Sequence, residues 1–253
     1  MINIERLTKC YDKLKAVNDL SMHVGAGSVH GLLGANGSGK TTTLKCIVGL
    51  LKPDSGSIAV NGIDISADPV QVKRQFGYLP ENQFLYPELT AEEYLRFIGR
   101  LRGIADAEVC AHADRFFKVF NLEEVRNAMI GSYSMGMKKK TALAGSLIGE
   151  PPLLILDEPT NGLDPPTVYL FKEIIRELEK RGTTVLIASH NLPFLENLAG
   201  GFTLIDQGRV VAAGSLQDLK TRHNMPEATL EDIFIHLSGR KISGVEELFD
   251  SPK

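Results

Sequence analysis

Apolar positions along this chain recur in three rhythms, and each predicts a kind of element. Val29-His30-Gly31-Leu32-Leu33, Leu153-Leu154-Ile155-Leu156 and Thr184-Val185-Leu186-Ile187-Ala188 are near-continuous aliphatic runs. Such runs suit short parallel strands covered on both faces. Alternation with polar residues marks Ile2-Asn3-Ile4, a second strand over 16–24, and Ser57-Ile58-Ala59-Val60 followed by Asn61-Gly62 and Ile63-Asp64-Ile65. Asn-Gly between alternating apolar residues is a strong hairpin signal, so antiparallel strands are expected beside the parallel ones. Phe76-Gly77-Tyr78-Leu79 reads as a further strand closed by Pro80, and 202–205 with 209–211 as a hairpin about Asp206-Gln207-Gly208.

The third rhythm is helical. Leu44, Ile47, Val48 and Leu51 recur at i, i+3, i+4 and i+7, as do Tyr94, Phe97, Ile98 and Leu101, so each set predicts one face of a helix. Thr90-Ala91-Glu92-Glu93 is a capping box, in which hydroxyl and carboxylate each satisfy an orphan N–H, and Gly103 is placed as the stop. Val109, Ala113, Phe116, Phe117 and Phe120 share one face of the next helix. Another helix is expected to begin near Met137, with Lys138, Lys139 and Lys140 on a solvated face. Further helices are expected over 166–181 and from Thr229 to about Leu237, the latter with Leu230, Ile233, Phe234 and Leu237 on one face. The helical stretch of about 86–149 interrupts a strand–helix alternation that resumes at Pro151-Pro152, so it reads as an inserted lobe. Weak order is expected beyond Gly239.

Composition narrows the setting. At 253 residues, with 43% apolar and 23% charged residues, the chain can bury a full core. A formal net charge of −3 gives no bulk electrostatic case for nucleic acid. Three scattered cysteines, Cys10, Cys46 and Cys110, lack metal-ligand spacing and suit a reducing, cytosolic compartment. The first residues lack the apolar core of a signal peptide, and no run of about 18 apolar residues is present to span a bilayer. If a membrane is involved, a partner supplies the span.

The chemistry centres on residues 34–41, Gly-Ala-Asn-Gly-Ser-Gly-Lys-Thr, which fit G-x-x-x-x-G-K-[ST] between a predicted strand and a predicted helix. Gly34, Gly37 and Gly39 let consecutive N–H groups face one concavity that attracts phosphate oxygens. Lys40 can reach the outer phosphates, the Thr41 hydroxyl suits Mg²⁺, and the following helix points its positive end at the anion. Ala35, Asn36, Ser38 and Thr42 complete the candidate nucleotide-binding set. Asp157 directly follows an aliphatic run, where an acidic residue can serve Mg²⁺ through a water. Glu158 is the natural general base for an attacking water. His190 ends another buried strand, and sites in open α/β sheets form at such strand ends.

Together with Tyr133-Ser134-Met135-Gly136-Met137 and Asn161-Gly162-Leu163-Asp164, these motifs make residues 1–237 resemble an ATP-binding-cassette (ABC) ATPase, the nucleotide-binding subunit of an ABC transporter. Residues 238–253 are left as a tail. The first stretch stands where that family has its Leu-Ser-Gly-Gly-Gln signature, and the second is similar to its D-loop. The resemblance implies an α/β fold: a RecA-like P-loop core with a mostly parallel sheet, an antiparallel β subdomain and the inserted α-helical subdomain. It implies ATP and Mg²⁺ as ligands and a head-to-tail dimer with two composite sites. In each, Tyr11 would stack on adenine, although on the residues alone a lone tyrosine is a half-buried strand residue. Thr41 and Asp157 would serve Mg²⁺, Glu158 would polarise water, and His190 would steady the γ-phosphate. Ser134, Met135 and Gly136 would arrive from the opposite subunit, a second copy of this chain or a related cassette, and Asp164 would link the two sites.

There are departures from the family pattern. Glu81 stands where most members have glutamine; its oxygen can approach Mg²⁺ but cannot donate a hydrogen bond. Met135 and Met137 replace a glycine and a glutamine of the signature. Tyr-Ser-x-Gly-Met, and Leu230-Glu231-Asp232-Ile233-Phe234 in the tail, resemble the ABC-2-type exporters. The implied setting is the inner face of the cell membrane, bound through separate transmembrane permease subunits, with no nucleic-acid partner. Two alternatives differ in kind: a soluble ABC protein acting on ribosome or nucleic acid, which would call for a second cassette, a coiled-coil insertion or a basic arm, and an ATP-binding structural subunit with little hydrolysis.

Overall fold

Two sheets share one face of the molecule's core. The computed structural model describes residues 1–238, so the expectation for the segment beyond Gly239 lies outside the described residues. The chain opens with the antiparallel pair β1 (Ile2–Tyr11) and β2 (Leu14–Val24), then β3 (Val29–Leu33), the glycine loop and α1 (Lys40–Ile47). The hairpin β4 (Ser55–Val60) and β5 (Ile63–Asp64) follows, turning at Asn61-Gly62 as its sequence requires. α2 (Pro69–Arg74) leads to β6 (Phe76–Leu79) and the helices α3 (Ala91–Leu101), α4 (Asp106–Phe120) and α5 (Met135–Leu147). The alternation resumes with β7 (Leu153–Asp157), α6 (Pro165–Lys180), β8 (Thr184–Ser189) and α7 (Leu192–Glu196). It closes with β9 (Gly201–Asp206), β10 (Arg209–Gly214), α8 (Leu216–Arg222) and α9 (Leu230–Ser238).

The first sheet is antiparallel, in the order β2-β1-β4-β5. The second runs β10-β9-β3-β8-β7-β6 and is parallel except for its terminal β9/β10 pair. Strand alternation divides the core. Leu153 and Ile155 face the antiparallel sheet and α1, whereas Leu154 and Leu156 face the helices, as a two-residue period dictates. Every residue of β7 is buried, and each of its leucines contributes about 2 kcal/mol of hydrophobic stabilisation.

Several boundaries differ from the sequence expectation. α1 ends at Ile47, and Gly49 takes a left-handed φ of 68°, so Leu51 lies beyond the helix. α5 begins at Met135, two residues early, because the Ser134 hydroxyl caps it by accepting from the Met137 amide at 3.3 Å. On α3 the capping box forms as its sequence predicts. Its buried face, however, is Ala91, Tyr94, Leu95 and Gly99, while Phe97 and Leu101 are exposed. Two close approaches set that rotation: a methyl on Gly99 would overlap Val109 of α4, and one on Gly145 of α5 would press on the Tyr94 ring. The solvated face assigned to the three lysines is also wrong for one of them: Lys139 is 2% exposed.

Candidate functional site

Parallel pairing of β3, β8, β7 and β6 brings four carboxyl ends side by side. The glycine loop leaves β3, Glu158 follows β7, His190 follows β8, and the segment carrying Glu81 leaves β6. The glycine loop, Glu158 and Glu81 line a cleft of about 400 Å³, bounded also by Tyr11, Lys40, Thr41 and Thr42, and His190 stands behind it against Glu158. Tyr11, 45% exposed, ends β1 and closes one side, so its ring is free to meet a flat ligand.

The loop is shaped by its glycines. Gly37 and Gly39 take φ values of 80° and 108°, where a side chain is strained, and a methyl on Gly39 would overlap the Ala16 carbonyl. Lys40 folds across the loop, its Nζ donating to the Gly34 carbonyl at 2.8 Å and the Ala35 carbonyl at 3.3 Å. The amide of Gly208, in the turn between β9 and β10, donates to the Ser38 carbonyl at 2.9 Å and holds the loop from behind. Ser38 Oγ is buried without a hydrogen-bond partner, an arrangement that asks for a ligand oxygen.

Asp157 is fully buried. Its Oδ1 accepts from Thr41 Oγ1 at 3.2 Å, while Oδ2 has no partner. Burial pushes this carboxyl up to about 6 against the Thr41 hydrogen bond, and the negative charges of Glu81 and Glu158 add to the rise. A buried carboxylate with an orphan oxygen beside a threonine hydroxyl is an all-oxygen donor set that fits Mg²⁺, a hard cation.

Glu158 is only 4% exposed and is held at three points. Oε2 accepts from Ser189 Oγ at 3.0 Å, and Oε1 accepts from the His190 amide at 3.0 Å and lies 2.9 Å from His190 Nδ1. Lys40 Nζ is 3.6 Å from Oε1. Its backbone takes φ 47°, a left-handed turn uncommon outside glycine, which swings the carboxylate off the strand axis toward the cleft. His190, expected at the phosphate, is thus found with its ring on the carboxylate.

The remaining candidates are not in this cleft. Ser134 and Met135 stand exposed at the N-terminus of α5, Met135 at 68%, and Gly136 is partly buried. Asp164 is exposed as the N-cap of α6, its carboxyl held below the usual range chiefly by Thr167. Two residues escaped sequence reasoning. Ser189 orients Glu158, and its signal in the sequence was its place at a strand end beside His190. Lys139 Nζ donates to the backbone carbonyls of Glu158 at 2.8 Å and Asn161 at 2.9 Å. Its signal was helical period: it lies four residues before buried Leu143 and seven before buried Ser146.

A phosphate cradle that shares its strand ends with a restrained, buried carboxylate is the working part of a P-loop nucleoside triphosphatase. Fold and site assign the chain to that class. The ABC transporter family model matches residues 17–161. The chain is similar to the ABC transporter ATP-binding protein NatA of Bacillus subtilis (strain 168), 38% identical over 207 residues, covering 81% of this chain and 84% of the relative. It is similar also to the Nod factor export ATP-binding protein I of Burkholderia thailandensis, 37% identical over 218 residues, covering 86% of this chain and 72% of the relative. Among solved structures, an ATP-binding subunit of an ABC transporter superposes with a TM-score of 0.90 at 33% identity, covering 94% of this chain and 99% of that one. The chain belongs to the ABC transporter family, as an ATP-binding and ATP-hydrolysing subunit.

Proposed function

We propose that this subunit powers an export permease, and that hydrolysis at residues 34–42, Asp157 and Glu158 proceeds in sites shared between two copies. The observation that carries the hydrolytic assignment is the three-point hold on the Glu158 carboxylate beside Lys40. Tyr11 stacks on adenine, and Lys40 with the loop amides receives the phosphates. Thr41 and Asp157 are the residues that would hold Mg²⁺, with Glu81 near enough to contribute its charge. When bound, the ion supplies charge neutralisation on the phosphate oxygens. Glu158 takes a proton from water as the water oxygen bonds to the γ-phosphorus. The bond to the bridging oxygen breaks, and ADP leaves with that electron pair. Ser189 and His190 keep the carboxylate aimed.

Ser134, Met135 and Gly136 serve the partner copy's phosphate, and Asp164 lies at the junction of the two sites. Export is favoured by the similarity to a Nod factor export protein and by the Tyr-Ser-x-Gly-Met signature. On this reading the protein sits at the inner face of the membrane, held by separate permease subunits. Among the described residues no helix is long and apolar enough to cross a membrane. The test is Glu158→Gln. ATP turnover should fall by a factor on the order of 10² to 10⁴ while nucleotide affinity stays within a few-fold. Turnover near the wild-type rate would remove Glu158 as the base.

A further inference from the structure

Lys139 is the one lysine of the Lys138-Lys139-Lys140 run that turns inward. An ammonium taken out of water forfeits its hydration, whereas an apolar side chain of similar length would fill the same space without that cost. What the charge obtains here is two short hydrogen bonds, to the carbonyls of Glu158 and Asn161. Both acceptors belong to the turn that leaves β7. Glu158 is the residue with the left-handed φ of 47°, and its carbonyl also accepts the Asn161 amide at 3.4 Å. The ammonium therefore grips the backbone whose unusual twist aims the carboxylate.

The grip has a second end. Lys139 stands just over one turn into α5, whose exposed N-terminus carries Ser134 and Gly136. Met135 lies against Gly162, and Leu163 against Gly136, so the first turn of α5 rests on the turn containing residues 158–163.

We propose that Lys139 is a positioning residue that latches the signature helix to the backbone of the general base, so that movement of α5 is felt at Glu158 of the same chain. This rests on the reading of Glu158 as base, and the experiment separates the two. Lys139→Met keeps most of the unbranched side chain and removes the donors. In the full chain without nucleotide, amide hydrogen exchange in peptides spanning 158–164 should rise about tenfold, with peptides from β1 and β2 unchanged. With ATP, kcat should fall about tenfold and KM should stay within twofold, a split that general loosening of the fold would not produce. Lys139→Gln, which can still donate to one carbonyl, should fall between wild type and Lys139→Met on both measures. It also serves if the methionine variant fails to fold. Unchanged exchange at 158–164 in Lys139→Met, or in Lys139→Gln where only that variant folds, overturns the latch even if Glu158→Gln proves inactive. So does equal loosening of β1 and β2.

Discussion

His30 lies partly buried on β3, with Nε2 2.9 Å from Thr203 Oγ1. Burial, with His23 adding to it, lowers its pKa to about 4 from an ordinary 6.5. Between those two values the unfolded chain binds a proton that the folded chain refuses. Stability from this group is therefore full above about pH 6.5 and falls as the pH drops toward 4, by at most about 3 kcal/mol. His30→Gln removes the titration and can keep a hydrogen bond to Thr203. Urea unfolding at pH 7.5 and pH 5 should show wild type losing about 2 kcal/mol more than the variant between the two. Equal losses would place the acid sensitivity elsewhere. The same residue-level physics makes Cys46 a packing group: burial raises its thiol to about 11, far from the reactive range.

At the scale of elements, the helical lobe meets the parallel sheet at β6. Gly77 of β6 faces α5 so closely that a methyl there would overlap the Ser146 carbonyl. Arg102, after α3, donates from Nη2 to the Phe76 carbonyl at 2.9 Å on the same strand. Gly77→Ala must part the strand from the helix, with an expected loss of about 3 kcal/mol by denaturant unfolding. A value within about 0.5 kcal/mol of wild type would mean that the strand edge yields freely. The Thr90–Glu93 capping box was plain in four residues because its bonds are local. Which side of α3 is buried was not, since Tyr94, Phe97, Ile98 and Leu101 satisfy the helical period as well as the observed face does. Contacts at Gly99 and Gly145, from two other helices, decided it.

At the scale of the molecule, the cradle and the signature helix of one chain are separate. Tyr11, Lys40 and Glu158 gather at the cleft, with Asp157 buried behind Thr41, while Ser134 and Met135 stand exposed at the start of α5. A helix N-terminus capped only by its own serine offers free amides to an anion. A second copy, turned head to tail, would present those amides to the phosphates. Glu158→Gln, which should bind ATP without consuming it, is expected to elute from a sizing column at twice the monomer mass when ATP and Mg²⁺ are present, and as monomer without them. A monomer under both conditions at high protein concentration would sink the shared-site reading.

The sequence by itself determined what is local. Residues 34–41 announce a phosphate cradle because a glycine loop, a lysine and a threonine need only their neighbours to be recognised. The aliphatic runs that lead to Asp157 and His190 announce strands because burial on both faces leaves few polar positions. Tertiary structure decided what depends on distant partners. Parallel pairing of β3, β8 and β7 set Ser189 and His190 against Glu158, across 31 and 32 residues of chain. Tertiary packing also turned one lysine of three inward, where the carbonyls of Glu158 and Asn161 in the turn after β7 accept from an ammonium taken out of water.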